Sequence, residues 1–429
     1  MRFGIGGGRG LGRVVVRGDG RRERAARRAA RDTAPERRRA ARGGANGRER
    51  AATGNLRHVK CADADAVQSA PQKSSFSPRG VFDTVSAFPP QTAARVTTAA
   101  MRALIVGGSG YLGQFVIRAM LDAGYERVDY TYASNPLPEV CAACTGHVAN
   151  VASGEGVREA IDAVLRSGGL DVVVNCAAIS SPGACEKDPE TANATNVPKQ
   201  LLVALRERFP PVTRGDTGED PAAKKPVFVH LSTDQVYCGE TANNLEGHGK
   251  HIAPVNAYGR SKLAAEKMVL ESWPHAQTVV LRSSIITGPQ SPFKPVKRPL
   301  FLDFVADALR GGDPTTFFED EFRCPIAAVD LARHILVLAA AEPGTKRGVF
   351  NAGGPERLSR VDMAKKAAEA LRLSSKNVVA KSAASVDRGV LSPADISMDS
   401  SKLERATGVR ACGWELQVKI AAGVPYMPA

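Results

Sequence analysis

The stretch MRALIVGGSGYLGQFVIRAMLDAG, residues 101–124, decides the fold. A short apolar run comes first, and three glycines follow at the spacing GxxGxxG, namely Gly107, Gly110 and Gly113. Apolar residues then recur at helical spacing from 114 to 123, and Gly124 is a helix stop signal. The stretch therefore predicts a strand, a tight turn and a helix.

A strand, a glycine turn and a helix in this order form the context of a dinucleotide-binding fingerprint. Glycines permit the tight turn and let backbone N–H groups approach a pyrophosphate, whose charge the helix N-terminus favours. Because the spacing differs from GxGxxG, the prediction of a dinucleotide site depends on the flanking strand and helix. The alternative is an incidental glycine turn.

Predicted strands and helices alternate along the following part of the chain. The strands are predicted at 127–132, 171–175 and 227–231, and the helices at 156–166 and 192–209. Alternation of this kind indicates a parallel sheet covered by helices on both faces. After residue 283 the pattern is less regular, with predicted helices at 301–310 and 361–373.

These patterns predict an α/β protein with three regions. Residues 1–100 form a disordered, basic N-terminal tail, and residues 101–282 form a Rossmann-type, doubly wound parallel sheet that binds NAD(P). Residues 283–429 form a smaller C-terminal α/β substrate lobe that is interleaved with the first.

Most of the positive charge lies in the tail. Residues 1–100 carry a net charge of +13, whereas the rest of the chain carries +1, so the charge does not indicate what the folded part binds. The first 50 residues hold 16 arginines and few apolar side chains, which predicts disorder. No aromatic platform is interleaved with the arginines, so nucleic-acid binding is not expected.

The tail also bears on the compartment. Arg- and Ser-rich leaders are typical of organelle transit peptides, but five acids lie within the first 50 residues and Met101 stands directly before the first predicted strand. We therefore expect a cytoplasmic protein, with a plastid or mitochondrion as the alternative if residues 1–100 act as a transit peptide. The apolar stretches fall short of the ~18 residues that a membrane span needs.

Eight scattered cysteines favour a reducing compartment with mostly buried thiols. Cys141 and Cys144 have CxxC spacing, but no second pair completes a zinc site, so we predict no metal.

A candidate catalytic group follows the predicted strand that ends at 231. Thr233 and Asp234 come next, and Tyr258 and Lys262 lie four residues apart at the start of a predicted helix. Residues at this spacing share one helix face, and an ammonium beside a phenol lowers the phenol pKa. A lone YxxxK is commonly a surface tyrosine and a solvated lysine. The glycine turn, NCAA (175–178) and STD (232–234) at successive strand ends favour one active site.

With these motifs the chain resembles the extended short-chain dehydrogenases/reductases. Within that superfamily it is most similar to the dTDP-4-dehydrorhamnose reductase branch, which also contains the beta regulatory subunit of methionine adenosyltransferase. The supporting segments are HLSTDQVYCGE (230–240), PVNAYGRSKLAAEK (254–267), LRSSIITGP (281–289), FRCPIAAVDLA (322–332) and SPADISMDSSKL (392–403). The resemblance covers roughly 101–420.

The resemblance implies a role for each matching residue. Tyr258 would donate a proton to the substrate carbonyl oxygen, Lys262 would hold the nicotinamide ribose and tune Tyr258, and Thr233 would supply a hydroxyl. Asp234 would add a polar contact in the substrate pocket. Asn196 would support Lys262 through water.

The dinucleotide would be NADP or NAD. The residues that would bind it are Gly107, Ser109, Gly110, Tyr111, Leu112, Gly113, Asn150, Cys176, Ala177, Ala178, Tyr258 and Lys262. Preference between the two forms depends on the end of the second strand, where an acid favours NAD and an arginine favours NADP. No basic residue occurs between 128 and 144, and Asp129 lies early in the strand, so the preference stays open.

Arg323 is the candidate for gripping an anionic substrate, and its alternative is a local pairing with Glu319, Asp320 or Glu321. His230 and His334 lie on apolar segments and are expected in the core.

The first functional hypothesis is an NAD(P)-dependent reductase that acts on a nucleotide-sugar or a similar small carbonyl compound. The second is a non-catalytic dinucleotide-binding regulatory subunit similar to methionine adenosyltransferase beta. The third is an RNA-associated protein acting through its arginine tail. A homodimer and an assembly with a methionine adenosyltransferase catalytic subunit are both open as partners.

Overall fold

A computed structural model describes residues 100–210, 225–247 and 249–425. The tail predicted for 1–100 lies outside the described residues except for Ala100. None of the described helices is both long and apolar enough to cross a membrane.

The strands are numbered in chain order. They are β1 (Arg102–Val106), β2 (Arg127–Tyr132), β3 (Gly146–Val148), β4 (Val172–Asn175), β5 (Val227–Thr233), β6 (Thr278–Ser283), β7 (Ile286–Thr287), β8 (Thr315–Phe318), β9 (Phe322–Arg323), β10 (Ile326–Ala327), β11 (Gly348–Ala352), β12 (Leu358–Ser359) and β13 (Val378–Lys381).

The helices are numbered in the same way. They are α1 (Tyr111–Asp122), α2 (Val157–Arg166), α3 (Pro182–Lys187), α4 (Pro189–Asn196), α5 (Lys199–Arg208), α6 (Ala257–Ser272), α7 (Phe301–Arg310), α8 (Ala328–Ala339), α9 (Arg360–Leu371), α10 (Ser401–Thr407) and α11 (Trp414–Ala421).

Seven strands form one sheet in the order β3-β2-β1-β4-β5-β6-β11. Every neighbouring pair in it is parallel. The order reverses between β1 and β4, which is where a doubly wound sheet opens a crevice for ligands. The Rossmann-type α/β fold predicted from the sequence is therefore confirmed. One of its two edge strands, β11, comes from the C-terminal region of the chain.

Helices cover both faces of this sheet. Ile105 of β1 belongs to a core with Val116 of α1 and Ile335 of α8. Leu104, the preceding residue of β1, packs on the opposite face with Ile161 of α2. Because successive strand residues point to opposite faces, a strand buried on both sides has to be apolar throughout. This explains the apolar run 103–106.

A third core lies in the C-terminal region, between α7, α9 and α11. Its largest side chain is Trp414, whose indole Nε1 donates a hydrogen bond to the Met363 carbonyl oxygen at 3.0 Å.

The single helix predicted for 192–209 is wrong, because the structure has two helices, α4 and α5, in this region. Pro198 separates them. Proline has no backbone N–H and disfavours helical conformation in the preceding residue, and Val197 is accordingly extended, with φ −87° and ψ 114°.

A buried ion pair joins α6 to the sheet. The Arg282 guanidinium of β6 donates to the Glu266 carboxylate of α6, with an Nη2–Oε2 distance of 2.8 Å. Glu266 also accepts from the Ser232 hydroxyl of β5, and Arg282 donates to the Tyr237 hydroxyl at 3.0 Å. Both charged side chains are less than 5% exposed. The position of α6 therefore depends on this network.

We expect Glu266→Gln to lower the free energy of unfolding by about 3 kcal/mol, because it leaves the buried Arg282 charge uncompensated. Chemical denaturation measures the change. Glu271→Gln, on the exposed side of the same helix, should change the free energy by less than about 0.5 kcal/mol. A loss below about 1 kcal/mol for Glu266→Gln would show that the ion pair does not hold α6.

Candidate active site

The glycine turn between β1 and α1 lies at the reversal point of the sheet. Gly107 has φ +72°, and a Cβ there would lie 2.8 Å from the Cα of Ala177, so only glycine fits. The Gly107 N–H donates to the Thr131 hydroxyl at 3.0 Å, and the Gly108 N–H donates to the Thr131 carbonyl oxygen at 3.0 Å. The turn is thus fixed between β2 and the end of β4.

The first turn of α1 is open toward this crevice. Gly110 is the N-cap and supplies no side-chain cap, and the N–H groups of Tyr111, Leu112 and Gly113 have no acceptor among the described residues. A Cβ on Gly110 would meet only the Gly107 carbonyl oxygen, at 3.1 Å. Together with Ser109, these residues leave unpaired donors at a helix N-terminus, which fits a pyrophosphate.

The residues predicted from NCAA lie at the carboxyl end of β4, beside the glycine turn. The Asn175 side-chain oxygen accepts from the Ala177 N–H at 3.2 Å, and Cys176 donates its N–H to the Val106 carbonyl oxygen at 2.9 Å. Burial raises the pKa of the Cys176 thiol to about 12, against the opposing charge of Lys262. Ala178 is exposed.

The end of β5 and the start of α6 bring Thr233, Asp234 and Tyr258 together. The Thr233 side chain lies close enough to the Tyr258 phenol to act on its pKa. Thr233 donates to the Asp234 carboxylate at 3.1 Å, and Ser284 donates to its other oxygen at 2.8 Å. The structure therefore brings three of the predicted catalytic residues together at the edge of the sheet.

Asn256 fixes the start of α6 against this group. Its side-chain oxygen accepts from the Gly259 N–H at 2.9 Å, which caps the helix. Its amide nitrogen donates to the Gln235 side chain at 2.8 Å, just beyond the end of β5.

Burial dominates the electrostatics of Tyr258. It raises the pKa of the phenol well above its ordinary value, and the Asp234 carboxylate raises it further. The Thr233 side chain and the charge of Arg298 oppose this rise. Desolvation disfavours the phenolate more than the nearby cations favour it, and a lowering of the phenol pKa by Lys262 stays a prediction.

Lys262 is buried, one helical turn after Tyr258. Its Nζ lies 3.5 Å from Nε2 of His230, whose Nδ1 lies 3.2 Å from the Asn175 amide nitrogen. Burial lowers the pKa of Lys262 to about 8, although Glu266 opposes this. Burial, with a smaller effect of the Lys262 charge, holds the pKa of His230 well below its usual range. His230 is in the core, as predicted, and it also connects Lys262 to β4.

Asn196 lies behind the site at the end of α4. Its side-chain oxygen accepts from the Ile179 N–H at 2.7 Å, and its amide nitrogen donates to the Ser261 hydroxyl at 2.8 Å. It therefore ties α6 to the segment after β4, while its support of Lys262 through water stays a prediction.

The structure places Asn150 apart from the Thr233–Tyr258 group. Asn150 is exposed after β3, and its side-chain oxygen accepts from the N–H groups of Ala152 at 3.0 Å and Ser153 at 3.3 Å. This side chain shapes the local turn, and its contact with a dinucleotide stays a prediction.

Arg323 is buried, and its guanidinium donates to the carbonyl oxygens of Phe322, Pro393 and Ala394 and to the Ser392 hydroxyl. Glu321 and Asp234 both favour its charge. The guanidinium therefore holds the 392–394 segment beside the site, and its contact with a substrate stays a prediction.

Two residues of the site were not found from the sequence. Arg298 donates to the Ser180 hydroxyl at 2.8 Å, and its charge acts on Tyr258. Gln114 is a buried amide in α1 whose Nε2 donates to the Lys294 carbonyl oxygen at 2.9 Å. Only Gln114 gave a signal, as a polar residue within an apolar helical pattern. The described residues contain no group of three or more His, Cys, Asp or Glu that could hold a metal ion.

Comparisons with known proteins found relatives of this chain. The family model described as RmlD substrate binding domain matches residues 101–423. A probable low-salt glycan biosynthesis reductase of Haloferax volcanii is 28% identical over 310 residues, which cover 72% of this chain and 93% of that protein. Methionine adenosyltransferase 2 subunit beta of Danio rerio is 25% identical over 312 residues, covering 72% and 86%.

A solved structure shows the same fold. It is the dTDP-4-dehydrorhamnose reductase of Bacillus anthracis in complex with NADP, with a TM-score of 0.60 and 18% identity. The match covers 75% of this chain and 99% of the solved one.

The lowered pKa of Lys262 predicts a pH-dependent stability. Between pH 8 and 10.5 the unfolded chain binds the lysine proton more tightly than the folded protein, so stability rises with pH across this window. We expect Lys262→Met to be more stable than the wild type by about 3 kcal/mol at pH 7, with the difference vanishing near pH 10.5.

Urea denaturation at both pH values measures this difference. Lys267→Met, on the exposed side of the same helix, should change the free energy of unfolding at pH 7 by less than about 0.5 kcal/mol. An equal gain in the free energy of unfolding for Lys262→Met at both pH values would contradict the lowered pKa of Lys262.

Proposed function

The chain belongs to the RmlD substrate binding domain family of extended short-chain dehydrogenases/reductases, and we propose that it is an NAD(P)-dependent reductase of this type. Its substrate is the carbonyl group of a nucleotide-sugar or of a similar small compound. The proposal depends on the proximity of Thr233 and Tyr258 at the same edge of the sheet as an open glycine turn. The reductase names of two relatives, from Haloferax volcanii and Mycolicibacterium smegmatis, support it.

The dinucleotide has a defined set of residues in this proposal. The turn 107–110 and the N–H groups of the first turn of α1 hold the pyrophosphate. Ala177, Ala178 and Asn150 lie along the adenosine side, and Tyr258 and Lys262 hold the nicotinamide ribose. The bound nicotinamide supplies the hydride.

Tyr258 supplies the proton. Since its pKa lies above the ordinary value, the phenol is protonated at neutral pH and can donate its O–H proton to the carbonyl oxygen as the carbonyl carbon accepts the hydride. The product is an alcohol. The Thr233 hydroxyl and the charge of Arg298 stabilise the phenolate that is left.

Lys262 and Asp234 position the reacting groups. With a pKa of about 8, Lys262 is mainly an ammonium at neutral pH and can donate hydrogen bonds to ribose hydroxyls. Asp234 accepts from Thr233 and Ser284, which fixes the Thr233 side chain near Tyr258.

A second candidate is a dinucleotide-binding regulatory subunit with little turnover. It is favoured by the match to methionine adenosyltransferase 2 subunit beta, which spans 86% of that protein. Co-elution of the chain with a methionine adenosyltransferase catalytic subunit in gel filtration, together with dinucleotide binding but no carbonyl reduction, would favour this candidate over the reductase.

Tyr258→Phe should lower turnover by at least ~100-fold, because the phenyl ring has no proton to donate. Its affinity for NADPH and NADH should stay within about twofold of the wild type. The assay follows loss of nicotinamide absorbance with dTDP-4-keto-6-deoxy-L-mannose as substrate.

Tyr125→Phe is the matched control, since the buried Tyr125 hydroxyl has no hydrogen-bond partner within the part of the chain that the structure describes. It should leave turnover unchanged. Wild-type turnover that persists in Tyr258→Phe would refute the role of Tyr258 as acid.

Gly110→Val should fold but lose at least ~10-fold in dinucleotide affinity, because its side chain stands where a pyrophosphate approaches the N–H groups of α1. Fluorescence titration with NADPH and NADH measures the loss, and thermal melting checks the fold. Gly312→Ala is the control, since a Cβ there meets no atom within 4 Å. Unchanged affinity in Gly110→Val would mean that the dinucleotide binds elsewhere.

A further inference from the structure

The loop 288–300, between β7 and α7, lies over the glycine turn. Gln114 of α1 holds it with both ends of its amide: Oε1 accepts from the N–H groups of Phe293 at 3.1 Å and Lys294 at 2.8 Å, and Nε2 donates to the Lys294 carbonyl oxygen. The same nitrogen donates to the Ser109 carbonyl oxygen at 3.1 Å. The backbone of Lys294 is therefore fixed beside the turn predicted to hold the pyrophosphate.

Three further contacts hold this position. The Tyr111 hydroxyl donates to the Pro289 carbonyl oxygen at 3.0 Å, and the Ser291 hydroxyl donates to the Lys294 carbonyl oxygen at 2.8 Å. The Phe293 ring packs against the core that α1 shares with the sheet.

From this position the Lys294 side chain reaches the segment that follows β2. Its Nζ donates to the Pro136 carbonyl oxygen at 2.9 Å. Among the described residues no carboxylate pairs with this ammonium, and the Pro136 carbonyl oxygen is its hydrogen-bond acceptor, so its charge is not neutralised. Lys294 thus spans from the glycine turn to the end of β2.

The end of β2 itself provides neither an accessible acid, which would favour NADH, nor an arginine, which would favour NADPH. Asp129 is fully buried and is used within the sheet by Arg127 and His147, each at 3.0 Å. It cannot reach the ribose of a dinucleotide. The exposed side chains after the strand are the hydroxyl of Ser134 and the amide of Asn135, which can donate hydrogen bonds but carry no charge.

We propose that Lys294 binds the 2′-phosphate of NADPH, beside Ser134 and Asn135, and so gives the protein a preference for NADPH over NADH. In this fold the adenosine ribose lies at the end of β2, while the pyrophosphate lies at the start of α1. The Lys294 ammonium lies between these two points. When NADPH binds, this ammonium exchanges its hydrogen bond to the Pro136 carbonyl oxygen for one to a phosphate oxygen. The inference rests on the proposed function, since it requires a dinucleotide at the glycine turn.

The test is a fluorescence titration of the full chain with NADPH and with NADH. The wild type should bind NADPH more tightly, and Lys294→Met should weaken NADPH binding at least ~10-fold while leaving NADH within about twofold. Lys294→Arg, which keeps the charge, should retain most of the preference. Adenosine 2′,5′-bisphosphate should compete less well with NADPH in Lys294→Met than in the wild type.

Lys297→Met is the matched control, because Lys297 is exposed on the same loop. It should change neither affinity. Three results would overturn the inference but not the proposed function. They are equal weakening of both dinucleotides in Lys294→Met, an unchanged NADPH affinity in that variant, and a wild type without preference. A wild type that binds neither dinucleotide would overturn the proposed function as well.

Discussion

The ion pair between Glu266 and Arg282 is the interaction on which the candidate site depends most. It joins α6 to β6 in the interior, and the Ser232 hydroxyl connects the same carboxylate to β5. Tyr258 and Lys262 both lie on α6, so their positions relative to Thr233 at the end of β5 follow from this pair. A charged pair in the core costs desolvation, but it fixes one orientation of the helix where apolar contacts alone would permit several.

Burial acts on the two YxxxK residues in opposite directions. It raises the pKa of the Tyr258 phenol and lowers the pKa of the Lys262 ammonium, because in each case the charged form loses its hydration. The result suits a reduction: the phenol retains its proton until a carbonyl oxygen takes it, and the lysine remains mainly charged at neutral pH. The positive charge that acts on the phenol comes from Arg298, outside the motif.

The site is assembled from both halves of the chain. The loop 288–300 crosses the glycine turn, the 392–394 segment is held by the Arg323 guanidinium, and β11 extends the sheet. Relatives named as a reductase and as a methionine adenosyltransferase subunit each cover 72% of this chain, so membership of the family does not by itself separate these roles. The groups outside the shared motifs are therefore where this chain's own specificity is to be sought.

The sequence by itself determined the sheet, the glycine turn and the residues brought together at its edge. Local backbone geometry depends on residues that are near in sequence. The apolar runs, the glycine spacing and YxxxK indicate that geometry, so Gly107, Thr233 and Tyr258 could be placed in advance. The tertiary structure decided the raised pKa of Tyr258 and the contacts of Gln114 and Lys294. These depend on desolvation and on approach between residues up to 180 positions apart, and no local pattern encodes either.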